Sequence, residues 1–232
     1  MDRTSNQYIK YKGINLRQVK KVTQCRSCGA DDMNTVFDMG DLKINAFTVE
    51  PNTDVGSAPL TLVHCHVCDL IQLDHTVREQ ELYENYWYLS RLNQKIVDNL
   101  SSIVEDITTE VGLNKNDIVL DIGANDGTLL SNYDSKKVTR VGCDPAKNIH
   151  LDLVKHTDIM IGDFFNYENW VTRVGIKTAR AITTVAMFYD LDDPNSFVQD
   201  IKKVLATDGV WLCQLMTAEP MLASNDLGNV IH

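Results

Sequence analysis

The chain has 232 residues, of which 44% are hydrophobic and 23% are charged. This composition is typical of a globular protein and excludes a disordered, collagen-like or repeat chain. A balance of 22 Lys and Arg against 32 Asp and Glu gives a formal charge of −10, which disfavours nonspecific binding to nucleic acid. No apolar run is long enough to span a membrane, and residues 1–21 lack the apolar core of a secretory signal. We therefore expect a cytoplasmic protein.

The predicted elements divide the chain into three parts. Residues 1–76 hold four cysteines and short alternating stretches bounded by Gly and Pro, which predicts a small β-rich zinc-binding module. Apolar residues recur at helical spacing over residues 77–113, which predicts a helical linker. Residues 114–232 alternate strand-like runs with helix-length stretches. This last part predicts an α/β domain with a parallel sheet and helices on both faces.

Two cysteine pairs in the first part have the spacing of metal ligands. Cys25 and Cys28 form one pair, and Cys65 and Cys68 form the other. Each pair can place two sulfurs at about 2.3 Å from a tetrahedral ion, and two pairs leave no open catalytic position. We therefore expect a structural Zn²⁺ site formed by the four cysteines. His64 and His66, which flank Cys65, could substitute as ligands, but we expect them to lie on a polar strand edge without binding the metal. A redox-active pair lacks its βαβ setting here, and disulfides are disfavoured in a cytosolic protein.

Five apolar runs in the last part predict the strands of the sheet. They are residues 118–122, 138–143, 159–161, 181–187 and 210–215. The clearest helix between them is predicted over residues 196–205. The last strand would have an unpaired edge, which favours association unless something covers it.

The segment after the first of these strands carries the strongest functional signal. The strand ends at Asp121, and Gly123 and Gly127 predict a tight turn followed by the start of a helix. The pattern D-x-G-x-x-x-G lacks the spacing of dinucleotide sites and the Lys-Ser/Thr ending of the phosphate loop. A carboxylate at the strand end fits a cationic nucleoside such as S-adenosylmethionine, and we include Asn125 among the residues that contact it. A tight turn without a ligand is the alternative.

Two later acidic residues are further candidates for the cofactor site. Asp144 follows the second strand, about 20 residues beyond the loop, where a carboxylate can accept hydrogen bonds from both ribose hydroxyls. Asp163 and Phe164 follow the third strand, where they could contact the amine and the face of an adenine. Either acid could instead cap a helix N-terminus.

Together these residues resemble the class I S-adenosylmethionine-dependent methyltransferases, and more narrowly the sugar C-methyltransferase family with an N-terminal zinc-binding domain. The resemblance rests on the cysteine pairs and on residues 121–130, 188–194 and 208–214, and it covers most of the chain from about residue 22 onward. It implies methylation of a nucleotide-linked keto-deoxysugar at carbon, through an enolate. It also implies that Tyr88 and Ser90 lie in a stretch that closes over the cofactor. Packing between domains would equally explain the aromatic cluster at residues 86–88.

Carbon methylation beside a ketone requires a general base for the α proton and donors for the enolate. Our candidate base is His232, and Tyr189, which follows the fourth strand, is the candidate acceptor-side contact. Terminal residues are often solvated, so the sequence leaves the base open. Because family members have a seven-stranded sheet and a further C-terminal domain, we expect the chain to be truncated relative to the family, with an incomplete sheet of about five strands.

Other functions remain open at this point. The chain could be a non-catalytic module that binds zinc and S-adenosylmethionine, or a subunit whose acceptor site needs a partner chain or a second copy over the exposed sheet edge. A zinc ribbon acting on nucleic acid is disfavoured by the net charge, and we expect no membrane partner. The basic residues available for nucleic acid are Lys10, Lys12, Arg17, Lys20, Lys21 and Arg26.

Overall fold

The computed structural model describes residues 8–9, 19–43 and 56–226. The strands in this part of the chain are β1 (Tyr8–Ile9), β2 (Val19–Lys21), β3 (Met33–Lys43), β4 (Ser57–Cys65), β5 (Ile71–Leu73), β6 (His75–Thr76), β7 (Ile118–Ile122), β8 (Thr139–Cys143), β9 (Ile159–Ile161), β10 (Ala179–Val185) and β11 (Leu205–Gln214). The α-helices are α1 (Glu79–Tyr83), α2 (Gln94–Val111), α3 (His150–Leu153), α4 (Tyr167–Val174), α5 (Pro194–Val204) and α6 (Ala218–Ser224).

These elements form two compact units. The first unit contains the described residues up to Leu82, together with Asp192–Pro194 and residues 216–226. The second unit contains Tyr83–Leu191 and Asn195–Leu215. The division into a zinc module, a linker and a cofactor domain at residues 76 and 113 stays a prediction.

The first unit is built on two small antiparallel sheets. Their strand orders are β1-β2-β6 and β3-β4-β5, and the long pair β3 and β4 runs from the register Met33 with Cys65 to Lys43 with Ser57. A buried apolar cluster in this unit consists of Val19, Ala58 and Val77, with Leu82 packed against it. This confirms the predicted small β-rich module. A core of this size needs a further source of stability, such as a metal.

The second unit contains a five-stranded parallel sheet in the order β11-β10-β7-β8-β9. In this sheet the central strand β7 comes first along the chain. The next two strands, β8 and β9, lie on one side of it, and β10 and β11 lie on the other side. This order reverses beside β7, as in doubly wound nucleotide-binding folds, where ligands bind outside the carboxyl ends of the strands at the reversal. The predicted Rossmann-like methyltransferase sheet with five strands is confirmed. In the described part of the chain, β11 pairs only with β10 and has the expected open edge.

Both faces of this sheet are covered, which explains why β7 is buried at every position. Val119 points into one core, where the buried stripe of α2 packs, and Leu120 points into the other, with Trp170 and Phe197. The stripe of α2 follows the helical repeat through Leu100, Ile103, Val104, Ile107 and Val111. The α2 helix has 18 residues, and no helix among the described residues is both long and apolar enough to cross a bilayer.

One predicted element is wrong. No α-helix starts after Gly127; the chain forms turns and a short 3₁₀ segment at Leu130–Asn132. Asn125 and Gly127 have left-handed backbones with φ of 51° and 80°, and the Asn132 side chain donates to the Thr128 carbonyl at 2.9 Å. Such side-chain bonds compete with the helical ladder. The predicted helix over residues 196–205 is confirmed as α5.

Candidate cofactor site and metal centre

The four paired cysteines meet at one place in the first unit. Their sulfur atoms all lie within 4.8 Å of one another, with Cys25 Sγ 3.5 Å from Cys68 Sγ and Cys28 Sγ 3.6 Å from Cys65 Sγ. Sulfurs bound at about 2.3 Å to a tetrahedral ion lie about 3.8 Å apart. The cluster therefore matches a four-sulfur Zn²⁺ site with little rearrangement. All four residues are free cysteines, so the disulfide alternative is not supported.

The two cysteine pairs lie in equivalent turns. In each turn, the residue four positions after the first cysteine donates to that cysteine's carbonyl, and the first cysteine donates to the carbonyl five positions on. The bonds are Gly29 N to Cys25 O (2.9 Å), Cys25 N to Ala30 O (2.8 Å), Asp69 N to Cys65 O (2.9 Å) and Cys65 N to Leu70 O (2.9 Å). Gly29 and Asp69 share a left-handed backbone, with φ of 76° and 60°. The sulfurs are thus placed by two copies of one local structure.

The four thiols of this cluster influence one another's ionisation. Burial raises the pKa of Cys25, but the backbone groups of Cys28 and Ser27 lower it to about 7 overall. The Leu70 backbone lowers the pKa of Cys68, but the contact with Cys25, burial and the neighbouring thiols raise it to about 12. One thiolate therefore suppresses ionisation of the next unless a metal ion shares the charge. The four cysteines fit Zn²⁺ in number, geometry and chemistry.

Arg26 lies between the first two cysteines, and its guanidinium contacts other groups of the first unit. Its Nη1 donates to Leu73 O at 2.6 Å, its Nη2 donates to Thr76 Oγ1 at 2.6 Å, and its Nε lies 3.5 Å from Asp192 Oδ1. Burial lowers the pKa of Arg26, and the charge of Asp192 opposes this. Lys20 Nζ lies 3.7 Å from the same Asp192. These two basic residues are thus engaged with the protein itself, and Lys10, Lys12 and Arg17 lie outside the described residues.

In the second unit, Asp121 is buried where β7 meets the glycine loop, which we define as residues 123–128. The Thr183 hydroxyl donates to Asp121 Oδ1 at 2.6 Å. Burial raises the pKa of Asp121 to about 7; the Thr183 hydrogen bond opposes this and the charge of Asp144 adds to it. No basic side chain is among the causes of this shift within the described part of the chain. The site therefore holds a desolvated carboxyl group that a cationic ligand would favour in its ionised form.

The two glycines of the loop are needed because the backbone passes close to other groups. A Cβ on Gly123 would lie 3.3 Å from Met187 Cγ, and a Cβ on Gly127 would lie 2.8 Å from His156 Cβ. Both glycines also have positive φ, at 74° and 80°. The Gly123 amide donates to the Cys143 carbonyl at 2.9 Å, which ties the loop to the end of β8. Packing and backbone conformation together explain the D-x-G-x-x-x-G pattern.

Asp144 contacts the glycine loop, as we expect for a residue of the cofactor site. Its Oδ2 accepts from the Asn125 amide at 2.8 Å, and its Oδ1 accepts from the Ala146 amide at 2.9 Å. Burial raises the pKa of Asp144, and these two hydrogen bonds oppose the shift. Each oxygen still has lone-pair capacity for a ligand hydroxyl.

Asp163 and Phe164 lie beyond the end of β9. Asp163 Oδ1 accepts from the Phe164 amide at 2.8 Å, and the Cys143 thiol donates to the Asp163 carbonyl at 3.3 Å. The N-cap of α4 is Asn166, whose side chain accepts from the Asn169 amide at 2.7 Å. Asp163 is therefore not the cap of this helix, and its side chain is exposed beside the half-buried Phe164.

Residues 84–91, which we call the strap, run across the loops that follow β7 and β8. The contacts are mainly to the strap backbone: Lys147 N to Glu84 O (2.9 Å), Tyr86 N to Asn148 Oδ1 (2.9 Å), Asn148 Nδ2 to Tyr86 O (2.8 Å), Asn125 Nδ2 to Tyr88 O (2.9 Å), Ser90 N to Asn125 Oδ1 (3.0 Å) and Arg91 N to Asp126 Oδ2 (3.1 Å). The structure thus brings Tyr88 and Ser90 to the glycine loop. Sequence analysis missed Asn148, Arg91 and Asp126, which look like ordinary loop residues in the sequence.

An acidic and phenolic cluster lies after β10. Tyr189 is 46% exposed, and burial, Asp190 and Tyr86 raise its pKa to about 12. Asp190 is also solvent-exposed by area, yet the protein atoms around it partly desolvate the carboxyl group and raise its pKa to about 7, against a hydrogen bond from Tyr83. Sequence analysis missed Asp190 and Tyr83, and His232 lies outside the described residues.

The strand order, the carboxylates beside the glycine loop and the cysteine cluster define a Rossmann-like methyltransferase fold joined to a zinc-binding module. Residues 25–83 match a methyltransferase-associated family described as "Putative zinc binding domain". The chain is 25% identical over 220 residues to the C-methyltransferase NovU of Streptomyces niveus, and the match covers 92% of this chain and 52% of NovU. The chain therefore spans about half the length of this curated relative. The predicted resemblance to methyltransferases that carry a zinc-binding domain is confirmed.

Two solved structures that resemble part of the chain are enzymes. The plantazolicin methyltransferase BpumL, in complex with a pentazolic desmethylPZN analog and SAH, has a TM-score of 0.45 at 13% identity, covering 59% of this chain and 57% of that chain. The cyclopropane synthase MmaA2 from Mycobacterium tuberculosis has a TM-score of 0.40 at 20% identity, covering 53% of this chain and 46% of that chain.

Proposed function

We propose that this chain binds S-adenosylmethionine at the carboxyl edge of β7 and β8 and acts as a methyltransferase, with Zn²⁺ as a structural ion. The observation that carries the proposal is the pair Asp121 and Asp144. Both are buried acids with raised pKa values at adjacent strand ends, beside a loop whose glycines leave no room for side chains. A ligand with positive charge and ribose hydroxyls would relieve both desolvated carboxylates.

Each of these residues would contact the part of the cofactor that suits its chemistry. Asp144 would accept from the ribose hydroxyls, and Asp121 would face the positively charged end of the ligand. Asp163 and Phe164 would contact the adenine. When bound, S-adenosylmethionine supplies a methyl group on a sulfonium, which is transferred to a nucleophile aligned with the carbon–sulfur bond. The Zn²⁺ ion held by the four cysteines would take no part in the transfer, because their tetrahedral set leaves no open coordination position.

We further propose that the acceptor is a nucleotide-linked keto-deoxysugar, methylated at carbon. The match to a C-methyltransferase supports the site of methylation, and the sequence resemblance supports the acceptor class. Tyr189 would contact the acceptor, and His232 stays the candidate base that removes the α proton. The cytoplasmic location likewise stays a prediction.

A second candidate function follows from the open edge of β11. In the part of the chain described, this strand pairs on one side only. The chain could therefore be a subunit whose acceptor site forms with a partner chain or a second copy, or a module that binds zinc and S-adenosylmethionine without catalysis. Cofactor binding without transfer to any nucleotide-linked keto sugar by the isolated chain would favour this alternative.

Calorimetric titration of the zinc-loaded chain with S-adenosylmethionine and with S-adenosylhomocysteine tests the proposed cofactor. We expect one-to-one binding that is lost in Asp121→Asn and weakened in Asp144→Asn. Asp158→Asn is the control, because Asp158 pairs with Arg140 through Oδ1 and Nη2 at 3.1 Å outside the site. A folded, zinc-loaded wild-type chain that binds neither compound would contradict the proposal.

A further inference from the structure

Two side chains of the glycine loop hold the strap rather than facing an open crevice. We propose that Asn125 and Asp126 are positioning residues, which fix the strap as one wall of the cofactor crevice and so set the residence time of the cofactor without contacting it. This inference rests on the proposed function. It also changes the role expected for Asn125, which the sequence places among the residues that contact the cofactor.

Both polar groups of the Asn125 carboxamide are used by the strap. Oδ1 accepts from the Ser90 amide at 3.0 Å, and Nδ2 donates to the Tyr88 carbonyl at 2.9 Å. Leu89 between them is extended, with φ of −130° and ψ of 121°, so the carboxamide binds the strap backbone as a neighbouring strand would. The left-handed backbone of Asn125, with φ of 51°, lets its own amide donate to Asp144 at the same time. Asn125 thus joins the strap to the glycine loop and to Asp144, the residue that we expect to bind the ribose.

Asp126 makes a charged contact to the next part of the strap. Its side chain is 1% exposed, and its Oδ2 accepts from both the backbone N and the Nη1 of Arg91 at 3.1 Å. Its Oδ1 accepts from the amide and hydroxyl of Thr128. The Nη2 of Arg91 continues to Asp152 Oδ2 at 3.0 Å. A buried carboxylate needs such partners to offset its desolvation, so releasing the strap would leave a buried charge with half of its hydrogen bonds.

The far end of the strap repeats the arrangement of Asn125. Asn148, in the loop after β8, accepts from the Tyr86 amide at 2.9 Å and donates to the Tyr86 carbonyl at 2.8 Å. Two carboxamides from neighbouring βα loops therefore each bind the N–H and C=O groups of the strap. The strap thus crosses the crevice in which ligands of this fold bind.

This arrangement predicts a specific effect on the rate at which the cofactor dissociates. A ligand enclosed between the glycine loop and the strap leaves only when the strap opens. Weakening the Asn125 or Asp126 contacts should therefore raise the dissociation rate more than it lowers the association rate, because loosening a wall does not remove contacts to the ligand.

The test compares Asp126→Asn with Asp158→Asn in the full zinc-loaded chain. The two acids make similar contacts, since Asp158 Oδ2 also accepts from a backbone amide and a guanidinium, those of Arg140, at 2.8 and 3.2 Å, although the Asp158 side chain is 38% exposed. Hydrogen exchange without ligand would report the amides of Ser90 and Arg91, and stopped-flow kinetics would report the binding of S-adenosylhomocysteine. We expect Asp126→Asn to deprotect these amides and to raise the dissociation rate about tenfold or more, with Asp158→Asn changing neither.

Arg91→Ala is the second variant, because Asp126→Asn could unfold the glycine loop itself. It removes the guanidinium from a side chain that is 45% exposed, and its effect on dissociation should be less than additive with that of Asp126→Asn. Unchanged dissociation in variants whose strap amides are deprotected would overturn the inference and leave the proposed function intact. Failure of the wild-type chain to bind S-adenosylhomocysteine or S-adenosylmethionine would overturn both.

Discussion

Asp121 and Thr183 lie opposite each other on the neighbouring parallel strands β7 and β10, and the Thr183 hydroxyl donates to Asp121 Oδ1 at 2.6 Å. The register of the sheet therefore sets the orientation of the carboxyl group that we assign to the cationic end of the cofactor. The same hydroxyl lies 3.3 Å from the Leu120 carbonyl, so the hydroxyl has two acceptors for its single proton.

Thr183→Val should weaken cofactor binding at neutral pH without changing the shape of the strand. The hydrogen bond from Thr183 lowers the pKa of Asp121, so its loss should raise that pKa further above 7 and leave less of the ionised form. We expect affinity for S-adenosylmethionine to fall about tenfold near pH 7 and to recover partly at higher pH. Titration calorimetry across pH would check this, with Thr184→Val as a neighbouring control; an equal loss at every pH would contradict the explanation.

The raised pKa of Asp121 predicts opposite pH dependences for folding and for binding. Its folded-state pKa of about 7 lies well above the ordinary pKa of an aspartate, about 4, so this group contributes stability that is fully present below about pH 4 and is lost as the pH rises through 7. Binding of a cation needs the carboxylate, so affinity for S-adenosylmethionine should increase from about pH 6 to about pH 8. Asp121→Asn should remove both trends, as measured by thermal unfolding and by calorimetry. A wild-type chain whose affinity falls over this range would argue against Asp121 as the cation partner.

Removal of the metal should unfold the first unit and leave the second unit largely folded. The first unit has a small apolar cluster, whereas the second has two extended cores, and metal binding supplies about 10 kcal/mol or more to small zinc sites. Metal analysis should give one zinc per chain, and hydrogen exchange after chelation should deprotect β4 but not β7. Cys68→Ser should reproduce this loss, while Cys213→Ser, outside the cluster, should not. Full retention of β4 protection in the metal-free chain would contradict the assignment.

Tyr83→Phe should raise the pKa of Asp190. The environment already raises this pKa to about 7, and the Tyr83 hydrogen bond acts against that shift. Carbon-13 NMR of aspartate-labelled protein, with Asp190→Asn to assign the signal, would follow the titration directly. Tyr189→Phe is the control, because Tyr189 is not among the causes of the Asp190 shift. An Asp190 pKa that falls in Tyr83→Phe would contradict the hydrogen bond.

Gly127→Ala should destabilise the second unit more than Gly175→Ala does. Both residues have positive φ, at 80° and 91°, but a Cβ at Gly127 would lie 2.8 Å from His156 Cβ, whereas a Cβ at Gly175 has nothing within 4 Å. Both variants should lose about 1 kcal/mol or more through backbone strain, and Gly127→Ala should lose roughly another 1–3 kcal/mol through the clash. Urea unfolding would measure the difference. His156→Gly removes the opposing Cβ, so Gly127→Ala should cost less stability in that background than beside His156, whereas the cost of Gly175→Ala should not change.

Features fixed by local chemistry could be predicted from the sequence. The two-residue spacing of the cysteine pairs depends only on a turn, and β7 is buried on both faces, so its five residues form a continuous apolar run apart from Asp121. The parallel direction of the strands and the helices on both faces of the sheet follow from the α/β alternation and the usual handedness of its crossovers. These rules account for the metal centre and for the edge of the sheet at which Asp121 and Asp144 lie.

The parts that could not be predicted depend on segments far apart in the sequence. Tyr86 and Asn148 are separated by 62 positions, and nothing in either local sequence indicates that a carboxamide will bind that backbone. The helix predicted after Gly127 was wrong because the left-handed Asn125 is indistinguishable in the sequence from an ordinary loop residue. Asn125 adopts this conformation because it meets Tyr88, Ser90 and Asp144 at once. Tertiary contacts therefore decided the local structure.

The equivalence of the two cysteine turns has a consequence for the unfolded chain. The metal joins Cys28 to Cys65, which are 37 positions apart, so it closes a loop that contains the whole β3–β4 pair. In this respect the ion acts as a reversible cross-link, because its binding must offset the conformational entropy lost when this loop closes. Because loop-closure entropy grows only with the logarithm of length, doubling the loop would cost only about 0.6 kcal/mol. The first unit should therefore tolerate long insertions between the two turns far better than a single residue added within either of them.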